Sequence, residues 1–504
     1  MQMRISAGLI ALIVVWGLVS PETLGSSFSD MLSIVSRNFG WLYLWIVLAL
    51  VFLALFLAVS RYGDLKLGAD DDEPEFSLAS WFSMLFSAGM GIGLVYWGVA
   101  EPLSHFISPP PDVIAGTPEA ANTAMRYAFF HWGLHPWAIY GIVGLCIAFF
   151  QFRRNSSALI SSATETLPWR WARALSPAFN IMAIVATAFG VAASLGIGAA
   201  QINSGLHSVF GMPMGTAWQV GIIIVVTFLF IVSSVTGVDR GVKLLSQANL
   251  IAAALLALCI FIFGPTVAIL DTFSNTLGSY LSSFVRMSLR LTPFRDSVWI
   301  GDWTIFYWAW WISWSPFVGL FIARISKGRT IREFLLGVVI TPTLVGFAWF
   351  SVFGGTALNM EIFQNASLTE AASQDPSLAL FAMLDQLPLA ALTSVVATLL
   401  VIIFFITSGD SATLVLASMS QNGTSTPSNR SKIIWGALVS GIALSLLLAG
   451  GLKAVQTATI LFALPFCIVL ALMTIALLRA IKQDWAEEQR QQRELRRKMR
   501  TLVQ

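Results

Sequence analysis

W-T-I-F-Y-W-A-W-W-I-S-W-S-P, residues 303–316, is the stretch on which the reading of this chain turns. Five of these residues are tryptophans, with Phe306 and Tyr307 among them. On a helix, Trp303, Tyr307, Trp311 and Trp314 fall at i, i+4, i+8 and i+11, one continuous face. Pro316 lacks the amide hydrogen that the next rung needs, so an interruption of the ladder is expected there. So much indole in so few residues suits a cage for a cation that cannot donate hydrogen bonds. A quaternary ammonium over an aromatic face gains about 0.5–2 kcal/mol per ring. An interfacial tryptophan belt, or aromatic packing between helices, is the other reading of the stretch taken alone.

The 504 residues around it are 57% hydrophobic and 11% charged, with a mean hydropathy of +0.77. A water-soluble chain carries about 25% charged residues, so this is an integral membrane protein. Residues 5–19 read as a first transmembrane helix rather than a signal peptide, because no small-residue cleavage site follows and further spans do. At about 20 apolar residues per crossing, twelve spans are expected. They lie near 4–20, 41–61, 79–101, 126–151, 173–203, 217–236, 246–270, 303–325, 332–356, 385–419, 431–451 and 453–480. The mixed stretch 271–295 is expected to lie on the membrane surface as an amphipathic helix.

With both termini inside, most of the 29 basic residues are cytoplasmic; Arg37, Arg126, Arg286, Arg290, Arg295 and Lys453 remain outside. Cys146, Cys259 and Cys467 sit in apolar runs and suit small buried hydrophobes, not a disulfide framework or a metal site. The basic tail, rich in R-E-L-R-R-K-M-R, can form a helix with i,i+4 charge pairs and would be drawn to anionic membrane lipid. No nucleic-acid partner and no cofactor are expected.

Two spans are poor helices. Span three carries Gly89-Met90-Gly91-Ile92-Gly93, where glycine exposes backbone and invites unwinding. Span eight carries the tryptophans and Pro316. Spans 3–7 and 8–12 can therefore be two inverted halves, with interrupted helices in corresponding positions pointing to a midplane binding site. Unwound carbonyls there can replace the hydration shell of a sodium ion, and freed N–H groups can hold a carboxylate. Span ten adds Thr407, Ser408 and Asp410 to an apolar run. The hydroxyls are hard oxygen ligands or simply bond back to the i−4 carbonyl, and an intramembrane carboxylate is by default functional or paired. Span four offers His131-Trp132-Gly133-Leu134-His135-Pro136-Trp137 and Tyr140, in which Pro136 lets Trp132 leave regular spacing.

At these residues the chain resembles the betaine/choline/carnitine transporters over nearly its whole length. The motifs are A-G-M-G-I-G at 88–93, G-V-A-E-P at 98–102 and F-H-W-G-L-H-P-W-A-I-Y at 130–140. They continue with F-Y-W-A-W-W-I-S-W-S-P-F-V-G at 306–319 and A-R-I-S-K-G-R-T at 323–330. The resemblance implies an all-α membrane protein with the LeuT-like fold, twelve transmembrane helices in which two five-helix inverted repeats follow two extra helices. The divisions are 1–78, two N-terminal transmembrane helices and an acidic loop; 79–270, the first repeat; 271–302, surface helix and linker; 303–480, the second repeat; and 481–504, a basic cytoplasmic tail. It further implies an aromatic box of Trp132, Trp137, Tyr140 and Trp311, with Trp308, Trp310 and Trp314 along the path or in a cytoplasmic-side site, and Ser194 near the substrate carboxylate. Gly89, Gly91 and Gly93 supply the backbone of the substrate site. A sodium site maps onto Ser87, Met90, Phe404, Thr407 and Ser408. A second would use Thr187 and Phe317, but Val191 stands where the family has another threonine. Gly93, where choline-type members look to carry an acid, favours a zwitterion that brings its own carboxylate.

The resemblance thus implies a sodium symporter for glycine betaine in a bacterial inner membrane, commonly a homotrimer. Proton coupling, a wider osmolyte range (choline, ectoine, proline) and substrate:product exchange stay open. A channel would need charge rings or repeated polar lining, which is not found. An enzyme would need paired acids or metal ligands, for which only His131 and His135 stand close, and neither class is expected.

Overall fold

The computed structural model describes residues 2–89, 91–237, 239–295 and 297–503. Apart from one isolated antiparallel bridge between Lys66 and Thr330, its regular structure is helical. In order the helices are α1 (Gln2–Val19), α2 (Pro21–Val59), α3 (Leu78–Gly89), α4 (Ile92–Ile107), α5 (Pro118–Trp132), α6 (Leu134–Ala148), α7 (Ile160–Thr164), α8 (Arg170–Ala174) and α9 (Ser176–Phe210). There follow α10 (Thr216–Thr236), α11 (Asp239–Phe263), α12 (Thr266–Ser288), α13 (Phe306–Arg324), α14 (Ile331–Gln364), α15 (Leu368–Gln374), α16 (Ala379–Asp385), α17 (Ala390–Ser420) and α18 (Asn429–Val503).

Among the described residues, ten helical segments are long and apolar enough to cross a membrane. The difference from twelve has two local causes. Span three is split into α3 and α4, of 12 and 16 residues, each too short for a hydrocarbon core of about 30 Å at about 1.5 Å per residue. Gly91 between them is fully extended, at φ −131°, ψ −168°. Conversely, α18 runs through two expected spans, broken inside by Gly450 (φ 154°) and Gly451 (φ 61°). These backbone angles exclude side chains with a Cβ at low cost. Residues 118–153 also form one span despite a break at Gly133. Pro136 cannot donate to the Trp132 carbonyl four residues back, which is why the chain can turn there.

The interruption expected at Pro316 is absent. α13 runs unbroken from Phe306 to Arg324 with Pro316 inside it. The Ile312 carbonyl, which loses its amide donor to the proline ring, instead accepts the Ser315 hydroxyl at 2.7 Å. The irregular turn lies at the other end, a wide π-type turn over Gly301–Ile305. Only the first of the two supposed interrupted helices is therefore interrupted.

Close approach of helices rests on small residues, as expected where lipid supplies no hydrophobic force between them. A Cβ on Gly319 of α13 would stand 2.8 Å from Val143 Cγ1 and 3.0 Å from the Gly144 amide nitrogen of α6. This crossing sets the distance between the two aromatic-bearing helices. The predicted surface helix is α12, and polar bonds tie it to α5 and α6: His135 Nε2 with Ser288 Oγ at 2.9 Å, Arg126 to Ser279 at 3.1 Å, and Asn275 to Asn122 at 3.0 Å. The tail continues α18 as a helix, with an i,i+4 pair between Arg490 and Glu494. Asp484 joins it to Arg153 at 3.2 Å.

Replacing Gly319 by Leu should overpack this crossing, lower stability by about 1–3 kcal/mol and spread the helices. Gly221, with nothing within 4 Å of its would-be Cβ, should tolerate Ala. Thermal loss of the monodisperse peak in detergent, compared for the two variants, checks both.

Candidate functional site

A cavity of about 390 Å³ opens between the broken helix, α6, α9, α13 and α17. Its inner wall is aromatic. Trp132 meets Trp311 edge-on, with centroids 4.9 Å apart and planes at 72°. Tyr140 stands 6.2 Å from Trp311 and 5.6 Å from Trp137, again close to perpendicular. Rings set at right angles around a space present faces to it, the geometry that attracts a cation. Trp310 stacks on Trp311 at 4.8 Å and also lines the space, as do Trp314, Phe317 and Ser194.

Three of the indole N–H groups are turned away into protein. Trp132 Nε1 donates to Glu101 Oε2 at 2.8 Å, Trp311 Nε1 to the His131 carbonyl at 3.0 Å, and Trp314 Nε1 to the Gly190 carbonyl at 2.8 Å. Each bond fixes a ring by its edge and leaves its face available.

Opposite the rings lies the start of α4. Gly91 and Gly93 line the cavity, and a Cβ on Gly91 would meet nothing within 4 Å. One on Gly93 would lie 2.8 Å from Trp310 and 3.1 Å from Trp132, so any side chain there would enter between two box rings. The first turn of α4, with its positive dipole end, borders this space. Gly89 ends α3. Met90 and the Ser87 side chain lie outside the described residues.

On the far wall, Phe404, Thr407 and Ser408 of α17 face the same space. The Thr407 hydroxyl donates to the Ile403 carbonyl at 2.9 Å, leaving its oxygen free to accept or to ligate. Asp410 is half-buried one turn on. Thr187 does not reach the cavity; it is fully buried in α9, and its hydroxyl has no hydrogen-bond partner. Val191 beside it is buried too.

Trp308 is misplaced by the sequence reading. It is fully buried and stacks on His135 at 4.9 Å and 16°, on the side of α13 turned toward α12. The single tryptophan face of α13 also divides. Trp311 and Trp314 line the cavity, whereas Trp303 and Tyr307 pack against Trp97, at 5.5 and 6.1 Å. Beyond this aromatic layer lies a second cavity of about 470 Å³ lined by Tyr96, Gln219, Asp375 and the Gly450–Gly451 break. Among the described residues, none lines both cavities. The first instead extends to Ser246, Ser411 and Arg324, none of which the sequence singled out.

Sequence reasoning also passed over Glu101. It is completely buried and accepts bonds from Trp132, from the Tyr307 hydroxyl at 2.5 Å and from His131 Nδ1 at 2.6 Å, with His105 Nε2 at 3.2 Å. The signal was a lone carboxylate in the apolar run V-Y-W-G-V-A-E-P. Glu101, His105 and His131 bring three potential metal ligands within 4.8 Å. The 2.6 Å contact is a hydrogen bond, however, shorter than the roughly 3.3 Å between two ligands of a tetrahedral zinc.

The match to known proteins is broad. The family model described as BCCT, betaine/carnitine/choline family transporter, matches residues 2–486. The chain is 47% identical to the glycine betaine transporter OpuD of Bacillus subtilis over 94% of its own length and 93% of the relative's. It is 43% identical to an ectoine/hydroxyectoine transporter of Virgibacillus pantothenticus, covering 95% and 96% of the two chains. Glycine betaine transporter 1 of Vibrio parahaemolyticus is 42% identical over 95% and 93%. The chain belongs to the betaine/carnitine/choline transporter family; it is a multi-pass membrane transporter, not an enzyme.

With the half-exposed Cys259 replaced by alanine, Ser194→Cys and Ser411→Cys should react with a charged methanethiosulfonate. Thr187→Cys should react roughly tenfold more slowly or less, since thiol reactivity follows access. Equal rates would contradict the cavity boundary.

Proposed function

We propose that this member of the family imports glycine betaine, or an ectoine-type compatible solute, by sodium symport with alternating access. The observation that carries the reading is the aromatic-walled cavity, which runs from the box rings to the exposed Arg324. Its lining holds four ring faces for an onium group. The amide end of α4 and the Ser194 hydroxyl stand beside them for a carboxylate. Arg324 is the charged residue among the described lining residues, so no acid there would compensate a bare cation. A zwitterion fits that balance. The names of three relatives, two betaine and one ectoine/hydroxyectoine transporter, agree with this class.

Thr407, Ser408 and the carbonyl of Phe404 are the proposed sodium ligands, completed from the end of α3; Thr187 with Phe317 is a weaker second set because Val191 offers no oxygen. The solute is neutral overall, so the ion must couple it to the membrane potential. One charge moving inward through 100 mV releases about 2.3 kcal/mol. Counting α3 with α4 as one crossing and α18 as two restores twelve crossings, read as two inverted five-helix repeats after α1 and α2. The asymmetry of the basic residues supports both termini in the cytoplasm of a bacterium, with the Arg324 end of the cavity inside. Exposed Trp41, Trp45, Phe52 and Phe56 on α2 suit lipid or a neighbouring copy in a trimer.

Uptake of labelled glycine betaine into proteoliposomes should rise with an inward sodium gradient and fall in Thr407→Ala. Uptake that ignores sodium and follows pH would replace the ion. Trp311→Leu should weaken binding about 2–30-fold, the value of one cation–π contact, whereas Trp308→Leu should leave the KM of the folded fraction unchanged.

A further inference from the structure

We propose that the buried Glu101 carboxylate determines cation affinity in the aromatic box from behind it. Bonded to the edge of the Trp132 indole, it makes that ring face more electron-rich for an onium group it never touches. The inference rests on the reading of the box as an onium site.

Glu101 is fully buried and outside the cavity lining. Its carboxylate is held by Trp132 Nε1 at 2.8 Å, a charge-assisted bond to a ring whose face lines the cavity. An anion accepting from the indole N–H pushes electron density into the π system, and hydrogen bonds in a low dielectric polarise one another. The other donors leave the charge in place. His131 Nδ1 lies 2.6 Å from Glu101 and its Nε2 3.0 Å from the Thr304 hydroxyl, an oxygen able to donate to it. His105 gives Nε2–H, and its Nδ1 has no partner. Tyr307 donates its hydroxyl.

The same carboxylate fixes His131, whose main-chain carbonyl receives the Trp311 N–H. The two indoles that meet edge-on at 4.9 Å are therefore oriented from one buried group. A carboxylate in the lining, at Gly93 for instance, would repel the solute's own carboxylate. Behind the Trp132 wall it favours the cationic end while a ring separates it from the anionic one.

Binding of labelled glycine betaine to the purified full chain tests this. Wild-type protein that does not bind it would sink the transport reading itself. Given wild-type binding, Glu101→Gln keeps the shape and an accepting oxygen but removes the charge, and should raise Kd about tenfold with the number of sites unchanged. Glu101→Asp, which keeps the charge, should stay within about threefold. In a Trp132→Phe background, which has no N–H to polarise, the Gln substitution should cost nothing further. A Gln variant that binds like wild type overturns the inference, as does a loss that persists in the Phe background. If the Gln variant does not fold, Asp and Phe decide: Asp must hold affinity better than Phe, and the reverse or equal order overturns the proposal.

Discussion

Everything in this molecule depends on keeping broken backbone away from lipid. Inside a bilayer an unpaired amide or carbonyl has no water to turn to, so irregular chain is tolerated only where protein or a cavity surrounds it. The gap between α3 and α4 meets that condition because its Gly91–Gly93 side faces the enclosed space and the box rings. The break at Gly133 meets it differently: the neighbouring His131 carbonyl takes the Trp311 indole.

The second organising fact is how the indoles are anchored. A tryptophan has one donor and two faces, and in three of the cavity tryptophans the donor is committed to carbonyl or carboxylate oxygens behind the wall. The faces are left free and fixed. A box built from loosely packed rings would lose part of each contact to side-chain entropy; one anchored at its edges is ordered before any solute arrives.

Much of this was legible. Hydropathy marked the spans, since length and apolarity are what a bilayer demands, and the glycine run marked the helix that opens. The tryptophan density of α13 pointed to the right helix but not to the right rings. A periodic face says which residues align, not which neighbour each meets, and Trp308 turned to His135 while Tyr307 turned to Glu101. Proline misled in a specific way. Its lost rung was counted, but the hydroxyl one residue before it was not. Glu101 went unread because a single acid among apolar residues has no spacing to recognise; its meaning lies in donors from α4, α5 and α13, brought together only by folding.

The repair at Pro316 also gives α13 a soft joint. Where no proline stands, a transmembrane helix flexes only by tearing an amide rung in a medium that offers no replacement. At Ile312 the rung is already missing, and a rotatable hydroxyl stands in for it. The segment from Phe317 to Arg324, which borders the open mouth, can tilt about this point for the loss of one side-chain bond, while the rings before it keep their moorings.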